Sequence, residues 1–545
     1  MSATRNTRPM GRFLALAFGL LLLVLSFPVP AETGGSRLVV LHTNDHHGHP
    51  LKFSYYPSPA AGGLPARATL VRGVRRENRN VLLLDAGDLN TGRPESDLFS
   101  ARPDILGYNA LGYDAMVLGN HEFDHPLRVL KEQMAAARFP FLSANIRTRG
   151  GGLLARPYLL KDFGEFRVAV FGLTTKDTEH IANPKNVKDL LFDDEIQTAR
   201  RLVPFLRRKA DIVIALTHMG IFESVRIGSK RLAAQVEGID LIVDGHSHTR
   251  LESPVMVRNR RSGKMVPIVQ AWKWGLVLGR VDLEIHGRAV RLVSFRAVPV
   301  NLKTLERRAD GRKIIRNAGR PVPEDPALLK MLQPYLDKVN TSLSKVIGYA
   351  ESPFSNEASR HRETALGDLV ADSMLWATRE LGADFALQNG GGIRSGLPRG
   401  PITRKILHEI LPFDNTVVVL TLKGRDLIDL LNHLGAKGMG SGAFPQVSRG
   451  ITLTLDARTR RCRRIRVHGR PIDTGRVYRV ATNSFLADGG DGCRSFLKAL
   501  QRRDTGKLQR EILAAYIQTL GEALRPRIHG RIRVIGAPLG ASRPE

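Results

Sequence analysis

Cysteine is nearly absent: Cys462 and Cys493 are the only two in 545 residues. That excludes a disulfide scaffold and a thiolate-rich zinc module, and leaves open a single bridge between the two. Acidic residues are also short, with Asp+Glu 52 against Lys+Arg 82 and a net charge of +30. Such a balance favours anionic partners: nucleotides, nucleic acid or acidic lipids. Gly (52) and Pro (30) are not in excess and 42% of residues are apolar, so collagen-like, low-complexity and wholly disordered readings fail. The length predicts two to four domains at roughly 100–200 residues each. Long apolar runs are missing apart from Phe13–Phe27, which falls short of the roughly 20 residues a spanning helix needs.

That one run follows Arg5, Arg8 and Arg12 and ends at Val29-Pro30-Ala31. A basic start, a short apolar core and small residues at the exit describe a secretory signal peptide over residues 1–31, cleaved near Ala31. The expectation is a periplasmic or secreted protein with no stable membrane anchor.

From Ser36 to Leu302 short apolar runs alternate with amphipathic stretches such as Pro65–Arg76, Pro126–Ala137 and Glu195–Lys209. This pattern predicts an α/β layered domain over residues 36–302. Residues 303–344 read as a polar, aperiodic linker (Lys303–Asp325) followed by a connecting helix (Pro326–Ser342). Residues 345–545 read as a separate α+β domain. Its basic stretch Arg460–Arg470, with Ile465 and Val467 alternating, reads as a solvated sheet edge.

The chemistry lies where the strands of the first domain end. Leu38–Leu41 runs into His42-Thr43-Asn44-Asp45-His46-His47-Gly48-His49, and Val81–Leu84 into Asp85-Ala86-Gly87-Asp88. Ala115–Leu118 runs into Gly119-Asn120-His121-Glu122-Phe123-Asp124, Ile212–Leu216 into Thr217-His218-Met219-Gly220, and Leu241–Val243 into Asp244-Gly245-His246-Ser247-His248. Ligands of open α/β sheets bind beyond the carboxyl ends of the strands. One such histidine alone reads as a core residue, but five strand ends delivering Asp, Asn or His to one rim do not. Asp45 and His47 are two apart, as are His246 and His248, so extended backbone would point each pair at one place. Nitrogen and oxygen donors without thiolate suit Zn, Mn, Fe or Co.

At these residues the sequence resembles the calcineurin-like metallophosphoesterases. Within them it is similar to the 5′-nucleotidase family, in particular its periplasmic bifunctional UDP-sugar hydrolase/5′-nucleotidase branch. The resemblance extends through Gly87-Asp88, Asn389-Gly390-Gly391-Gly392-Ile393-Arg394, Pro412-Phe413-Asp414-Asn415 and Gly489-Gly490-Asp491-Gly492. It implies a four-layer α/β/β/α metallophosphoesterase domain and a carboxy-terminal substrate-binding domain. It further implies two divalent ions (Zn, Mn or Co), one on Asp45, His47, Asp88 and His248, the other on Asp88, Asn120, His218 and His246. His121 would stabilise the phosphoryl transition state with Asp124 orienting it, and the cations would acidify the attacking water. Arg360 and Arg394 would hold anionic groups, Phe413 and Phe485 sandwich the base, Asn415 contact the base and Asp491 the ribose. One departure is Asn356, where the family often has an arginine, with Arg362 as a nearby substitute.

The implied activity is hydrolysis of nucleoside 5′-monophosphates, with UDP-sugars or other nucleotide diphosphate derivatives as further substrates, by a monomer that binds no nucleic acid. Alternatives on the same metal domain are a 2′,3′-cyclic nucleotide phosphodiesterase and a thiosulfohydrolase. The paired Phe413 and Phe485 argue for a substrate that carries a base. A non-catalytic polyanion binder is the reading from net charge alone, but the basic residues are spread along the chain.

Overall fold

The computed structural model describes residues 35–55, 57–307, 313–437 and 440–536; the expected signal peptide lies outside them. Two six-stranded sheets face each other in the amino-terminal half. The first runs in the order Ala289–Pro299, Val277–His286, Ser36–Thr43, Val81–Asp85, Ala115–Val117, Phe141–Leu142. The second runs Val255–Arg258, Met265–Val269, Leu241–Asp244, Ile212–His218, Arg167–Thr174, Tyr158–Asp162.

The strand period of two sorts the layers. Leu38, Val40, Leu82, Leu84, Ala115 and Val117 meet Val168, Val170, Ile212 and Ile214 between the sheets. The alternate residues Val39, Leu41, Leu83 and Met116 turn outward onto helices Leu64–Glu77, Arg102–Leu111 and Leu127–Ala136. Ala169, Phe171, Val213 and Ala215 turn outward onto helices Glu195–Arg207 and Gly228–Gln235. The result is the α/β/β/α stack that the family resemblance implies. Parallel pairing inside each sheet brings the ends at Thr43, Asp85 and Val117, and those at His218 and Asp244, to the same sides of their sheets.

The stretch 303–325 departs from the expected aperiodic linker. It carries an antiparallel ribbon, Lys303–Arg307 against Lys313–Asn317. Leu305 and Ile315 pair across it while both remain exposed. A ribbon that buries neither face needs no apolar alternation, which is why periodicity missed it. Asp325 then caps helix Pro326–Leu343 by accepting from Leu328 N at 2.6 Å, and Leu328 and Leu332 enter the core of the first lobe.

The carboxy-terminal half holds a five-stranded sheet in the order Pro445–Val447, Phe385–Asn389, Val477–Asn483, Thr416–Lys423, Gln501–Leu508. Met374 and Ile512, from helices Ala365–Ala377 and Gln509–Leu520, pack on one face, and helix Gly424–Lys437 packs on the other. A four-stranded sheet includes Arg461–Val467, which buries Ile465 and Val467 and exposes Arg461, Arg463, Arg464 and Arg466. Among the described residues no helix is long and apolar enough to cross a membrane.

Candidate active site

The rim is stitched together by backbone before any side chain acts. Asp45 N donates to Gly87 O at 2.8 Å, His47 N to Asp88 O at 3.0 Å, and Gly245 N to Thr217 O at 3.1 Å. Asp45, His47, Asp88, His246 and His248 all adopt left-handed backbone, with φ between 47° and 76°. Non-glycine residues in this region are strained and need surrounding structure to hold them. The expectation that extended backbone would aim Asp45/His47 and His246/His248 pairwise is therefore corrected. Asp45 and His47 do join one cluster, with His248, but His246 turns away to join Asp88 and His218.

In the first cluster His47 Nε2 lies 3.1 Å from His248 Nε2 and 3.8 Å from Asp88 Oδ2, and His248 Nε2 lies 3.3 Å from Asp45 Oδ1. In the second, His218 Nε2 is 3.0 Å from Asp88 Oδ2, and His246 Nδ1 is 2.9 Å from Asn120 Oδ1. Asp88 stands between the two groups. Burial lowers His47, His246 and His248, so their imidazoles stay neutral, the form that ligates metals; His246 falls to about 3. Burial would raise Asp88, but His218, His121 and His47 outweigh it and hold the carboxylate well below its usual range. Burial would lower His218, yet Asp88 drives it up to about 10. A field that protonates a buried imidazole so strongly is one a divalent cation would answer.

The donor set suits such a group. His218 Nδ1–H donates to Ala86 O at 2.7 Å, which leaves the buried Nε2 pointing inward at Asp88 Oδ2. His47 Nδ1–H likewise donates to Asn90 O at 2.9 Å. These outer bonds fix ring orientation and raise ligand basicity, as at known metal-binding histidines.

Beside the clusters, a short 3₁₀ turn at His121–Phe123 puts His121 Nδ1 2.7 Å from Asp124 Oδ2. The spacing of three thus brings both onto one side. Burial opposes protonation of His121, but Asp124 and then Asp88 outweigh it and raise its pKa.

The carboxy-terminal lobe closes over this rim. Arg394 donates to His47 Nε2 at 3.1 Å, and Phe413 stacks on His121 at 5.8 Å with an interplanar angle of 18°. Ser484 Oγ donates to Asn415 Oδ1 at 3.3 Å, which ties the Phe413–Asn415 turn to the one carrying Phe485. Phe485 lies so close over Gly490 that a Cβ there would meet its ring at 2.4 Å. Asp491, also left-handed at φ 55°, accepts from Asn389 Nδ2 at 2.9 Å. Arg360 is half-buried; burial, then Arg394, lowers its pKa to about 10. Arg394 and Phe413 thus meet the metal-ligand rim, while Asn415, Phe485 and Asp491 are held by neighbours within the carboxy-terminal lobe.

Others had no assigned role. Glu122, 2% exposed, accepts from the backbone N–H of Asp88, Leu89 and Gly119 at 3.0, 2.8 and 2.6 Å and so clamps two strand ends together. Its place in Gly119-Asn120-His121-Glu122 was the available signal. Asn44 accepts from Ala271 N and donates to Trp272 O, both at 2.6 Å, fastening a distant loop to the rim.

Residues 38–250 match the calcineurin-like phosphoesterase family, and residues 346–500 the 5′-nucleotidase carboxy-terminal domain. Protein UshA of Escherichia coli K12 is 35% identical over 536 residues, spanning 91% of this chain and 95% of that one. A 5′-nucleotidase of Vibrio cholerae is 35% identical, over 88% of this chain and 90% of its own. The crystal structure of a 5′-nucleotidase precursor from Thermus thermophilus superposes with a TM-score of 0.82 at 33% identity, covering 92% of this chain and 100% of that chain. The chain belongs to the 5′-nucleotidase family of the calcineurin-like metallophosphoesterases and is a phosphoric ester hydrolase.

Proposed function

We propose that this protein is an exported, dinuclear-metal hydrolase that releases phosphate from nucleoside 5′-monophosphates and also cleaves nucleotide diphosphate derivatives such as UDP-sugars. The observation that carries the reading is the contact of the two lobes. The Phe413 ring lies on His121 and the Arg394 guanidinium on His47, so groups suited to a base and a phosphate adjoin the metal-ligand clusters. Thiosulfate has nothing to offer an aromatic face.

In this reading Asp45, His47, Asp88 and His248 hold one cation and Asp88, Asn120, His218 and His246 the other. Two such ions supply Lewis acidity and lower the pKa of water near phosphorus. Arg394 and Arg360 bind the anionic oxygens with planar, multi-donor geometry. Phe413 and Phe485 flank the base, Asn415 offers it a hydrogen bond, and Asp491 accepts from a ribose hydroxyl. His121, its Nδ1–H held by Asp124, presents Nε2–H to the phosphoryl oxygens. Amino-terminal sequencing of the exported protein checks the expected cut near Ala31.

The test is a panel of AMP, UDP-glucose, 2′,3′-cyclic AMP and thiosulfate with Zn, Mn or Co supplied. Release of phosphate from AMP and hydrolysis of UDP-glucose are expected. Turnover confined to thiosulfate or to the cyclic nucleotide would overturn the reading.

A further inference from the structure

The two lobes share no apolar core: each buried apolar cluster among the described residues draws on one lobe alone. Outside the cleft they meet through charges carried by two short helices. Pro94–Asp97, with Arg93 before it, follows the metal rim, and Arg404–Ile410 belongs to the carboxy-terminal lobe. His408 Nε2–H donates to Asp97 Oδ2 at 3.1 Å. Lys405 Nζ lies 2.7 Å from Glu95 Oε1, and Arg93 Nη2 lies 2.9 Å from Glu409 Oε1. Lys405, His408 and Glu409 are spaced so that one face of their helix presents all three. Leu407 and Ile410 turn instead into the core of their own lobe.

These pairs are sheltered. The side chains of His408 and Asp97 are 5% and 8% exposed, and that of Glu95 is 3% exposed. Exposed ion pairs hold little, because solvent and salt screen them. Withdrawn from water, each charge needs its partner in place, since breaking one pair leaves a buried charge alone. Such contacts favour one docking geometry and penalise others. A second bridge between the lobes, Lys185 Nζ to Asp488 Oδ2 at 3.0 Å, has its lysine 66% exposed and lacks that constraint.

Both ends of the His408–Asp97 bond lead to the cleft. Asp97 also accepts from Gly92 N, at 3.1 Å on each carboxylate oxygen. Gly92 lies so close to the His47 carbonyl that a Cβ there would meet the oxygen at 2.4 Å. Asp97 is thereby fixed to the loop packed under a metal-ligand candidate. On the other side, Ile410 O, at the end of the helix of His408, accepts from Arg394 N at 2.9 Å. Phe413 follows three residues later. The bond therefore links the backbone beneath His47 to the backbone of Arg394, and the side chains of those two residues meet at 3.1 Å.

We propose that Asp97 and His408 are positioning residues for the hydrolysis: through helix Arg404–Ile410 they seat the carboxy-terminal lobe so that Arg394 and Phe413 face the metal rim. Lys405–Glu95 and Arg93–Glu409 reinforce the seat. The inference rests on the reading above, in which the carboxy-terminal lobe carries the nucleotide and the amino-terminal lobe the cations. Asn415, Phe485 and Asp491 are held within their own lobe. Loosening that lobe therefore spares nucleotide binding and misaligns the phosphoryl group. In the metal-loaded full chain, His408→Leu lowers kcat on AMP by about tenfold, the cost of a misplacement somewhat under 1 Å. KM stays within about twofold of wild type, the sign of an interaction that acts in the chemical step. His408→Gln, whose amide N–H takes the place of Nε2–H, recovers most of the rate, and Lys185→Met stays near wild type.

Spin labels at Met256→Cys and Val477→Cys, exposed positions on the two lobes, read lobe placement without turnover, since Cys462 and Cys493 are buried. Their distance distribution is broader in His408→Leu than in wild type or His408→Gln. Should His408→Leu fail to fold, Lys405→Met carries the same expectations at the neighbouring pair. Unchanged kcat, a rise in KM alone, no recovery in His408→Gln, an unbroadened distribution, or an equal loss in Lys185→Met would overturn the proposal. Wild-type protein that does not turn over AMP would overturn the hydrolase reading instead. In that case the spin-label distances still decide whether Asp97 and His408 seat the lobe.

Discussion

Replacing His121 with Ala is expected to lower kcat on AMP by about 10²- to 10⁴-fold, the usual loss for a positioned proton-donating side chain, while the metal content stays that of the wild type. Three features support the proposed role of His121. Its backbone N–H donates to Asp88 Oδ1 at 2.8 Å, so the ring cannot drift from the carboxylate between the two clusters. Asp124 takes the Nδ1 side at 2.7 Å, which leaves Nε2 as the edge free to face a phosphoryl group. Asp124 is itself fixed, because Asn186 Nδ2 donates to its carbonyl at 2.9 Å.

His121 also stands within ligand reach of His47 and Asp88, so a second role has to be separated from the first. Metal analysis does that: a ligand would take a cation with it when removed, whereas a transition-state residue would not. Asp124→Asn should cost less than His121→Ala, because the amide still contacts Nδ1 but no longer stabilises the cationic ring. Undiminished phosphate release by His121→Ala, or loss of metal from it, would sink the assignment.

The parts of the fold legible in sequence were those written by burial. Leu82 to Leu84 and Ile212 to Leu216 are buried on both faces, and such strands read as unbroken apolar runs that end abruptly in polar residues. The abrupt ends then located the rim. The exact aim of each side chain was not legible. His246 and His248 part company because each sits in left-handed backbone, and residue spacing carries no information about that choice. The ribbon at 303–317 escaped because it buries neither face.

Glu122 was hidden for a different reason. It matters through the backbone N–H groups it collects from the chain around Asp88. That role comes from tertiary placement, and its position after Gly119-Asn120-His121 was the only local signal of it. Arg394 was legible as a residue, since it follows three glycines open enough for close approach of an anion. Its distance from His47 was not.

Gly119→Ala should be nearly as damaging as losing His121, although it adds one methyl and removes no functional group. A Cβ on Gly119 would meet Asp88 Oδ1 at 2.2 Å and Asp88 N at 2.7 Å. The first atom could swing away, but only by taking the carboxylate out from between His218 and His47. The second is backbone, already donating to Glu122 Oε2 at 3.0 Å, with Gly119 N donating to the same oxygen at 2.6 Å. Relief therefore means spreading the two strand ends that Glu122 holds together. A displacement of about 1 Å at a reaction centre can cost on the order of 10²-fold in rate, and overpacking costs roughly 1–3 kcal/mol of stability.

The expected result is a folded protein with a lowered Tm, fewer than two bound metal ions per chain and about 10²-fold less AMP turnover. Gly73→Ala is the control. Gly73 lies in helix Leu64–Glu77 with nothing within 4 Å of its would-be Cβ, so alanine there should stabilise by about 0.5–1 kcal/mol and leave the metals alone. If Gly119→Ala kept both metals and wild-type turnover, Asp88 could not be the carboxylate that joins the two clusters, and the dinuclear arrangement would have to be redrawn around other residues.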